Sequence, residues 1–412
     1  MMLKALLKTI DFVKGLRHKR LFSKISVTAL ACACVTYLVV WVVYLTPQVL
    51  AVAQAWQYLL VDYVNTNEVN PSHLYNRALD GLQSSLVNQD ISISQGIIDS
   101  MLELVEDKHT SYFSPQHYKM FMHSLTGTFE GIGIWMQTND EGHIIIRPIT
   151  GSPAEAAGIK ADDRIMKIDG KSTEGMSVDE AGLLIRGVPQ TEVKLTIFRD
   201  ESSTTFEVLI IRDEVVIPSV RAEEIEENII YTRLYSFSGT AGEELIDELG
   251  DFLDEDTTGI IVDLRDNPGG IVSDAILVSS LFLNEGDDVM HEVDGNDFVN
   301  YTYEASASEI AINSDIRVAV LQNQGSASAS EIVAGALQDR RNNTSIIGTT
   351  SYGKGSAQRI LTLADGSAIK VTFTYWTTPN GTMVNGIGIT PDITVEGDEA
   401  QLEAAIYYVK NT

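Results

Sequence analysis

The feature that most constrains this chain is a long N-terminal stretch without a charged side chain. No Asp, Glu, Lys or Arg occurs from residue 25 to residue 61. Its first part, Ile25–Leu45, is apolar enough and long enough to cross a hydrocarbon core of about 30 Å as a helix. The basic residues before it predict a cytoplasmic N-terminus and an exported remainder. We therefore expect a single-pass anchor in the cell membrane, with the rest of the chain extracytoplasmic.

A cleaved signal peptide is the alternative reading of this stretch. Ala51-Val52-Ala53 resembles an A-x-A cleavage site, but the apolar run is longer than the core of an ordinary signal peptide. Both cysteines, Cys32 and Cys34, lie inside the predicted anchor. The exported part therefore has no disulfide, no cysteine nucleophile and no cysteine metal site.

Charge is distributed unevenly along the 412 residues. The formal net charge is −28, although the first 24 residues carry seven Lys or Arg against one acid. An acidic remainder argues against nucleic acid as a partner, because phosphate binding needs a basic surface. With 44% hydrophobic residues, the chain should fold into about two to four domains.

Hydrophobic patterning divides the exported part into three regions. Residues 51–124 have a helical pattern, with a helix start at Asn70-Pro71-Ser72, and a plain helical bundle or spacer explains them. Short strands and turns follow from about 127 to 199 and fit a small β-rich module. From residue 217 onward, strands rich in Ile and Val alternate with helices, which predicts α/β packing around a partly parallel sheet.

The sharpest local feature is the loop GSASASE, between a strand ending at Asn323 and a helix beginning near Ser330. Such a strand-to-helix turn exposes a hydroxyl at a sheet edge and directs helix N–H groups toward whatever the hydroxyl attacks. Acyl transfer needs a nucleophile beside preorganised donors of this kind. The alternative is a loop in which Ser328 or Ser330 merely caps the helix, with Glu331 as a favourable first-turn acid.

A serine nucleophile also needs a base that can take its proton. No histidine follows the serine loop, since the last one is His291. A Ser-His-Asp triad stays open because its members can be distant in sequence. The other candidate base is Lys354, which lies between two glycines that allow close backbone approach.

Gln358 is the candidate third residue of the catalytic set, beside Ser328 and Lys354. If the chain is extended from Lys354 onward, Gln358 points to the same face and could orient the amine. For Lys354 the alternative is a solvent-exposed lysine in a turn. GKG alone is a weak signal, and no Walker pattern surrounds it.

The segment DLRDNPGG, Asp263–Gly270, is a second source of backbone donors. Pro-Gly-Gly after a strand is first of all a tight turn. The same turn at a helix N-terminus can aim a backbone N–H at an oxyanion, with the N–H of Ala329 supplying the other.

Together these segments resemble those of the C-terminal processing peptidases, tail-specific serine proteases with a Ser-Lys dyad. Six segments follow one another in the family's order: DKHTSYFSP, FEGIGI, DLRDNPGG, GSASASEI, SYGKGSAQ and TPNGTMVNGIGITPDI. The resemblance implies that Ser328 is the nucleophile, Lys354 the general base and Gln358 its orienting partner. It implies no metal or cofactor.

The resemblance also implies an oxyanion hole and a substrate-binding module. The oxyanion hole would use Ala329 N–H and either Gly269 or Gly270, a choice that stays open. The β-rich module would be a PDZ domain that captures a substrate C-terminus by adding it to a strand edge. Arg186 looks like the family position that couples ligand binding to the active state. The expected peptide-binding residues are Gly131, Ile132, Gly133 and Ile134.

We thus predict an α+β multidomain, membrane-anchored serine endopeptidase that acts on protein or peptide substrates bound by their C-termini, and we leave a homodimer open. A proteolytically inactive PDZ scaffold of the same fold is the main alternative, and a hydrolase of non-peptide esters is a weaker one. The predicted regions are a cytoplasmic basic segment 1–24, a transmembrane anchor 25–45, a helical N-terminal region 46–124, a PDZ domain 125–200 and an α/β serine protease core 201–412.

Overall fold

The computed structural model describes residues 45–66, 69–87, 91–105, 107–139, 142–149, 151–294, 298–308, 310 and 312–411. The predicted basic segment 1–24 lies outside these ranges, as does the predicted anchor 25–45 apart from its last residue. Each helix within the described ranges is too short or too polar to cross a membrane.

The helices follow one another along the chain. They are α1 Thr46–Val61, α2 Pro71–Val87, α3 Ile93–Leu102, α4 Pro115–Leu125, α5 Pro153–Ala156, α6 Val178–Ile185, α7 Ala241–Gly250, α8 Val272–Phe282, α9 Ala329–Arg340 and α10 Asp398–Asn411.

The strands are concentrated after residue 110. They are β1 Ser111–Phe113, β2 Thr128–Gly131, β3 Ile134–Thr138, β4 Ile144–Pro148, β5 Asp163–Ile168, β6 Lys171–Ser172, β7 Glu192–Arg199, β8 Thr204–Ile211, β9 Asp213–Val216, β10 Val220–Glu226, β11 Ile229–Leu234, β12 Gly259–Asp263, β13 Asp288–Val293, β14 Val299–Glu304, β15 Arg317–Gln322, β16 Thr344–Gly348, β17 Ser356–Thr362, β18 Ala368–Thr377 and β19 Ile393–Thr394.

The chain forms two compact units, and the first contains the described residues up to Pro115 together with Ile360–Val371. Helices α1, α2 and α3 pack here around a buried core that includes Leu59, Leu74 and Ile98. Strand β1 pairs antiparallel with the first residues of β18. The helical pattern predicted for this region is therefore confirmed, and it includes a helix that begins at Pro71.

The second unit, Gln116–Arg359 with the residues from Thr372 onward, contains a β-rich module and an α/β core. The module is an antiparallel sheet in the order β3-β4-β5-β7-β8, with β6 paired to β5. Its core is rich in isoleucine and is partly covered by α6. Strand β8 pairs with β7 along its whole length, so the sheet continues past residue 200, where the sequence suggests that the module ends.

The α/β core is built on a sheet in the order β10-β11-β12-β15-β16-β19. Strand β10 pairs antiparallel with β11, and the remaining neighbours are parallel, which confirms the predicted partly parallel sheet. Helices α7, α8 and α9 contribute to one apolar cluster of the core, and α10 contributes to another with β12, β15 and β16. The carboxyl ends of β12 and β15 therefore meet at one edge of the sheet. The segment with the Pro-Gly-Gly turn follows β12, and the serine loop follows β15.

Candidate active site

Ser328 occupies a sharp turn between β15 and α9. Its backbone has φ of 56° and ψ of −113°, a left-handed conformation that residues with a Cβ rarely adopt. Strain of this kind persists only where surrounding contacts impose it, and it exposes a side chain at the tip of a strand-to-helix turn. The backbone therefore singles out Ser328 among the residues of the loop.

The three serines of the loop have different surroundings. Ser326 and Ser330 are buried, and their hydroxyls donate to the carbonyl oxygens of Leu264 (2.7 Å) and Asn267 (2.9 Å). Ser328 is only partly buried. Two of the hydroxyls thus fasten the loop to the neighbouring segment, and the middle serine is the one that solvent or substrate can reach.

The Pro-Gly-Gly turn lies directly against this serine. Gly269 has φ of +93°, and a Cβ added to it would lie 2.6 Å from the Ala327 carbonyl oxygen and 2.8 Å from both the Ala329 nitrogen and the Ser328 Cβ. Gly270 has φ of +151°, and a Cβ added there would collide with the Phe237 carbonyl. Only glycine allows this close approach.

The two glycines differ in what their N–H groups bind. The Gly269 N–H donates to Oδ1 of the buried Asn267 at 2.9 Å. The N–H groups of Gly270 and Ala329 donate to no residue within the described ranges. Ala329 is the first residue of α9, where helix N–H groups lack partners inside the helix. The free backbone donors beside the serine are thus those of Gly270 and Ala329.

A buried carboxylate joins the serine loop to the lysine loop. Glu331 Oε2 accepts the backbone N–H of Ser328 at 2.7 Å and that of Lys354 at 2.9 Å. Its Oε1 accepts the Gly353 N–H and the Ser351 hydroxyl, each at 2.6 Å. The Glu331 side chain is fully buried. One side chain thus fixes the backbone of both predicted catalytic residues.

Glycines shape the lysine loop as the sequence suggested. Gly353 has φ of +87°, and a Cβ there would lie 3.0 Å from the backbone nitrogens of Ile387 and Gly388. A Cβ on Gly355 would collide with the backbone of Asn385. The loop is therefore packed against the later NGIGI segment, and Lys354 is partly buried between these contacts.

Gln358 lies on β17, but Lys354 does not. The strand begins at Ser356, so the alternation of faces along a strand does not relate the two side chains. The Gln358 amide donates to the hydroxyl of Ser356 at 3.0 Å and to that of Thr372 at 3.3 Å. These two bonds fix the orientation of the amide.

A buried ion pair supports the segment that leads to the Pro-Gly-Gly turn. The Asp263 carboxylate, fully buried, accepts from the Arg265 guanidinium at 2.6 Å and from the Tyr231 hydroxyl at 2.7 Å. Burial, together with the bond to Asp263, raises the pKa of Tyr231 to about 12. Burial alone would lower the pKa of Arg265, but the Asp263 carboxylate raises it overall. Arg265 also donates to the Asp398 carbonyl at the start of α10, so this pair connects the turn to the last helix.

The predicted peptide-binding segment lines a groove of about 660 Å³ in the β-rich module. The groove contains Gly131, Ile132, Gly133 and Ile134, and α6 contributes Gly182 and Ile185 to its wall. Strand β3 lies at the end of its sheet and pairs only with β4 among the described strands.

The turn before β3 packs against the segment from Ile149 to Ala154. Gly133 has φ of +76°, and a Cβ there would collide with the Ser152 side chain. The carbonyls of Ile132 and Gly133 accept bonds from Ala154 and Ile149, while their N–H groups donate to no described residue. Arg186 follows α6, is exposed and lines the same groove.

Sequence reasoning missed the role of Glu331 and of Asn267. The spacing of Glu331 three residues after Ser328 suggests a capping carboxylate, but nothing in the spacing links it to the lysine loop. Asn267 donates to the Leu234 carbonyl at 2.9 Å and accepts the Gly269 N–H. Its place in the turn gave no signal beyond turn propensity.

Comparison with known proteins identifies the class. The sequence profile of peptidase family S41 matches residues 228–395, and that of the PDZ domain matches residues 120–198. The chain is 35% identical over 323 residues to the carboxy-terminal processing protease CtpA of Bacillus subtilis (strain 168), covering 78% of this chain and 68% of that protein. It is 38% identical over 315 residues to the carboxy-terminal-processing protease of Bartonella bacilliformis, covering 75% and 71%.

Among solved structures, the photosystem II D1 C-terminal processing protease aligns with a TM-score of 0.51 and 25% identity. That alignment covers 85% of this chain and 93% of the other. The fold and the relatives define a serine peptidase of the C-terminal processing type that carries a PDZ domain. The chain belongs to peptidase family S41.

The bonds of Glu331 generate a first prediction. In Glu331→Gln, one end of the side chain becomes an amide that faces at least one backbone N–H donor, so at least one of the four bonds is lost and the others lose their charged acceptor. Because each bond to a charged acceptor contributes about 1.5–3 kcal/mol, we expect peptide hydrolysis to fall by at least about 100-fold. Initial rates on an unstructured protein substrate measure the hydrolysis. The thermal unfolding temperature measures the stability of the variant.

Asp392→Asn is the matched control for this prediction. Asp392 accepts the Ile346 N–H and the Gln338 amide, each at 2.8 Å, without contacting the serine loop. We expect this control to lower the unfolding temperature while the hydrolysis rate stays within about threefold. Equal losses of rate in the two variants would show that Glu331 contributes only to general stability.

Proposed function

We propose that this chain is a membrane-anchored endopeptidase that cleaves by a Ser-Lys mechanism, with Ser328 as nucleophile and Lys354 as general base. The observation that carries the proposal is the Glu331 carboxylate, which bonds the backbone N–H groups of both residues. It supports a common site for Ser328 and Lys354, which are 26 residues apart in sequence.

The chemistry then follows from the two side chains. Ser328 Oγ attacks the scissile carbonyl carbon as the neutral amine of Lys354 takes the hydroxyl proton. The C–N bond breaks, the proton passes to the leaving amine, and an ester remains on Ser328. Water, deprotonated by the same amine, attacks the ester carbon. The C–Oγ bond then breaks, the proton returns from the amine to Ser328 Oγ, and the new C-terminus leaves. Gln358, oriented by Ser356 and Thr372, would position the amine.

For the oxyanion hole we propose the N–H groups of Ala329 and Gly270. The Gly269 N–H is already bonded to Asn267, whereas the other two have no described acceptor. Donors that are free and fixed before the reaction stabilise the charge that develops on the carbonyl oxygen. Gly269 would instead provide the close approach that its missing Cβ permits.

We further propose that the groove beside β3 binds the C-terminus of the substrate. An extended peptide can add to the open edge of β3, and the unbonded N–H groups of Ile132 and Gly133 suit a terminal carboxylate. Arg186, exposed at the wall of the groove, would link its occupancy to the active state of the enzyme.

Anchoring rests on the sequence of residues 25–45 and the basic residues before it. On this proposal the N-terminus is cytoplasmic, and the peptidase lies on the extracytoplasmic side of the cell membrane.

The catalytic pair is tested with the full chain in mild detergent and an unstructured protein with an apolar C-terminus. We expect the wild type to cleave it, and we expect Ser328→Ala and Lys354→Met each to lower kcat by at least about 10³-fold. Ser330→Ala is the matched control, because it removes only one structural hydrogen bond and should keep the rate within about tenfold. Normal cleavage by Lys354→Met would exclude lysine as the base, and a wild type without activity would favour the inactive scaffold.

Recognition of the tail is tested by converting the substrate's C-terminal carboxylate to an amide. We expect kcat/KM to fall by about tenfold or more, because the groove loses hydrogen bonds to a charged acceptor. Acetylation of the substrate's N-terminus, which removes a charge from the other end, is the control and should have little effect. Equal rates for the acid and the amide would argue against C-terminal capture.

The anchor is tested by fractionating cells that express the full chain. We expect the protein to stay in the membrane fraction after alkaline carbonate washing, and we expect deletion of residues 25–45 to release it. Protease added to intact spheroplasts should digest the catalytic part. An N-terminal sequence starting after Ala53 would instead demonstrate a cleaved signal peptide.

A further inference from the structure

A second cavity, of about 620 Å³, lies within the same unit as the groove beside β3. The two hollows share the lining residues Gly127, Trp135, Ile149 and Ile217, so they adjoin one another. The second one extends from the PDZ domain to Tyr235 of the peptidase core. The cavity therefore adjoins the groove at the start of β3.

The lining of the cavity is also connected along the chain to the Pro-Gly-Gly turn. Tyr235 lies two residues before Phe237, whose N–H donates to the Gly269 carbonyl at 3.0 Å. The carbonyl of Phe237 in turn accepts the N–H of Ile271 at 2.8 Å. The wall of the cavity is thus continuous in sequence with the segment that holds the Pro-Gly-Gly turn.

The lining is basic in a strongly acidic protein. Arg147 and Arg221 both line the cavity, and no Asp or Glu is among the described residues that do. Both arginines are exposed, and neither forms an ion pair or side-chain hydrogen bond with a described residue. The net charge of −28 makes two uncompensated guanidinium groups in one cavity a notable local excess of positive charge.

The residues directly opposite these arginines carry no negative charge. Arg221 lies directly opposite Arg233 in the antiparallel pair of β10 and β11, an arrangement of like charges that is unfavourable. Arg233 is itself engaged by Asp263 at 3.5 Å. Arg147 lies opposite Trp135 in the pair of β3 and β4. An anionic group in the cavity would satisfy both guanidinium groups.

Two aromatic rings complete the lining. Trp135 is 54% exposed and Tyr235 is 49% exposed, which is high for side chains of this size. Such rings bind an extended peptide by covering its apolar atoms, while arginine binds carboxylates. The combination matches a peptide segment with acidic side chains.

We propose that this cavity is a specificity subsite for acidic residues of the substrate, upstream of the C-terminus that the PDZ domain holds. The inference rests on the proposed function, because it takes the occupant to be the same substrate chain. Arg147 and Arg221 bind the Asp or Glu carboxylates, and Trp135 and Tyr235 pack against the neighbouring backbone. The enzyme would then favour tails preceded by acidic segments over otherwise identical neutral ones.

The test compares two peptides with the same apolar C-terminal tail. One carries three Glu upstream of the tail, and the other carries Gln at the same positions. Binding to full-length Ser328→Ala protein in mild detergent is measured by fluorescence anisotropy, so that no turnover occurs. We expect the Glu peptide to bind about tenfold more tightly at low salt, and we expect this preference to shrink at high salt because exposed charges are screened.

Substitutions locate the preference. Adding Arg147→Gln and Arg221→Gln together should abolish the difference while the Kd of the Gln peptide stays unchanged. Lys167→Gln with Lys171→Gln is the matched control, since it removes two exposed charges from the PDZ domain outside the cavity. This control should keep the full preference. If the double arginine variant also loses the Gln peptide, the single variants decide, each with an expected loss of about threefold in the preference.

Equal Kd values for the two peptides, or a preference that survives the loss of both arginines, would overturn the inference. Wild-type cleavage of both peptides is measured in parallel. A wild type that cleaves neither contradicts the proposed peptidase function, whereas the Kd comparison still decides the subsite. The two failures are therefore distinguishable.

Discussion

The buried Glu331 carboxylate is the interaction on which the site depends. Removing a carboxylate from water costs several kcal/mol, and only a nearly complete set of hydrogen bonds offsets that cost. Here four donors approach its two oxygens, three of them backbone N–H groups. Because the donors come from two loops, the carboxylate is satisfied only when both loops are in place. The loop of Ser328 and the loop of Lys354 are therefore fixed together or not at all.

The second constraint is the space that glycine leaves beside the serine. Gly269 and Gly270 approach backbone atoms so closely that any side chain would displace the loop. The side-chain oxygen of the buried Asn267 accepts the Gly269 N–H, whereas the Gly270 N–H donates to no described residue. Asn267 also accepts at its carbonyl from Ala327 and Ser330. Polar bonds thus orient the turn, and the missing Cβ atoms allow it to touch the serine loop.

The sequence predicted the elements far better than their contacts. Periodic Ile and Val strands, the helix from about residue 330 and the partly parallel sheet follow from local pattern, and all are confirmed. The roles of Ser328, Lys354 and Gln358 stay predictions, since they came from motif order. Bonds such as that from Lys354 N–H to Glu331 could not be predicted, because they depend on how distant loops fold against each other. The strand expected from Lys354 begins only at Ser356. The residue before it, Gly355, packs closely against the backbone of Asn385, and this contact between distant segments has no signal in the local sequence.

The PDZ domain and the catalytic loops are connected by one continuous path of backbone bonds. The Ile217 N–H donates to the Gly127 carbonyl at the entrance of the groove. Tyr235 N–H donates to Ser219, and two residues later Phe237 bonds the Pro-Gly-Gly turn. These bonds connect the wall of the groove to the turn that contains Gly270. Ile217 and Tyr235 of this segment also line the arginine-containing cavity. The groove, the arginine-containing cavity and the Pro-Gly-Gly turn thus share one short stretch of backbone.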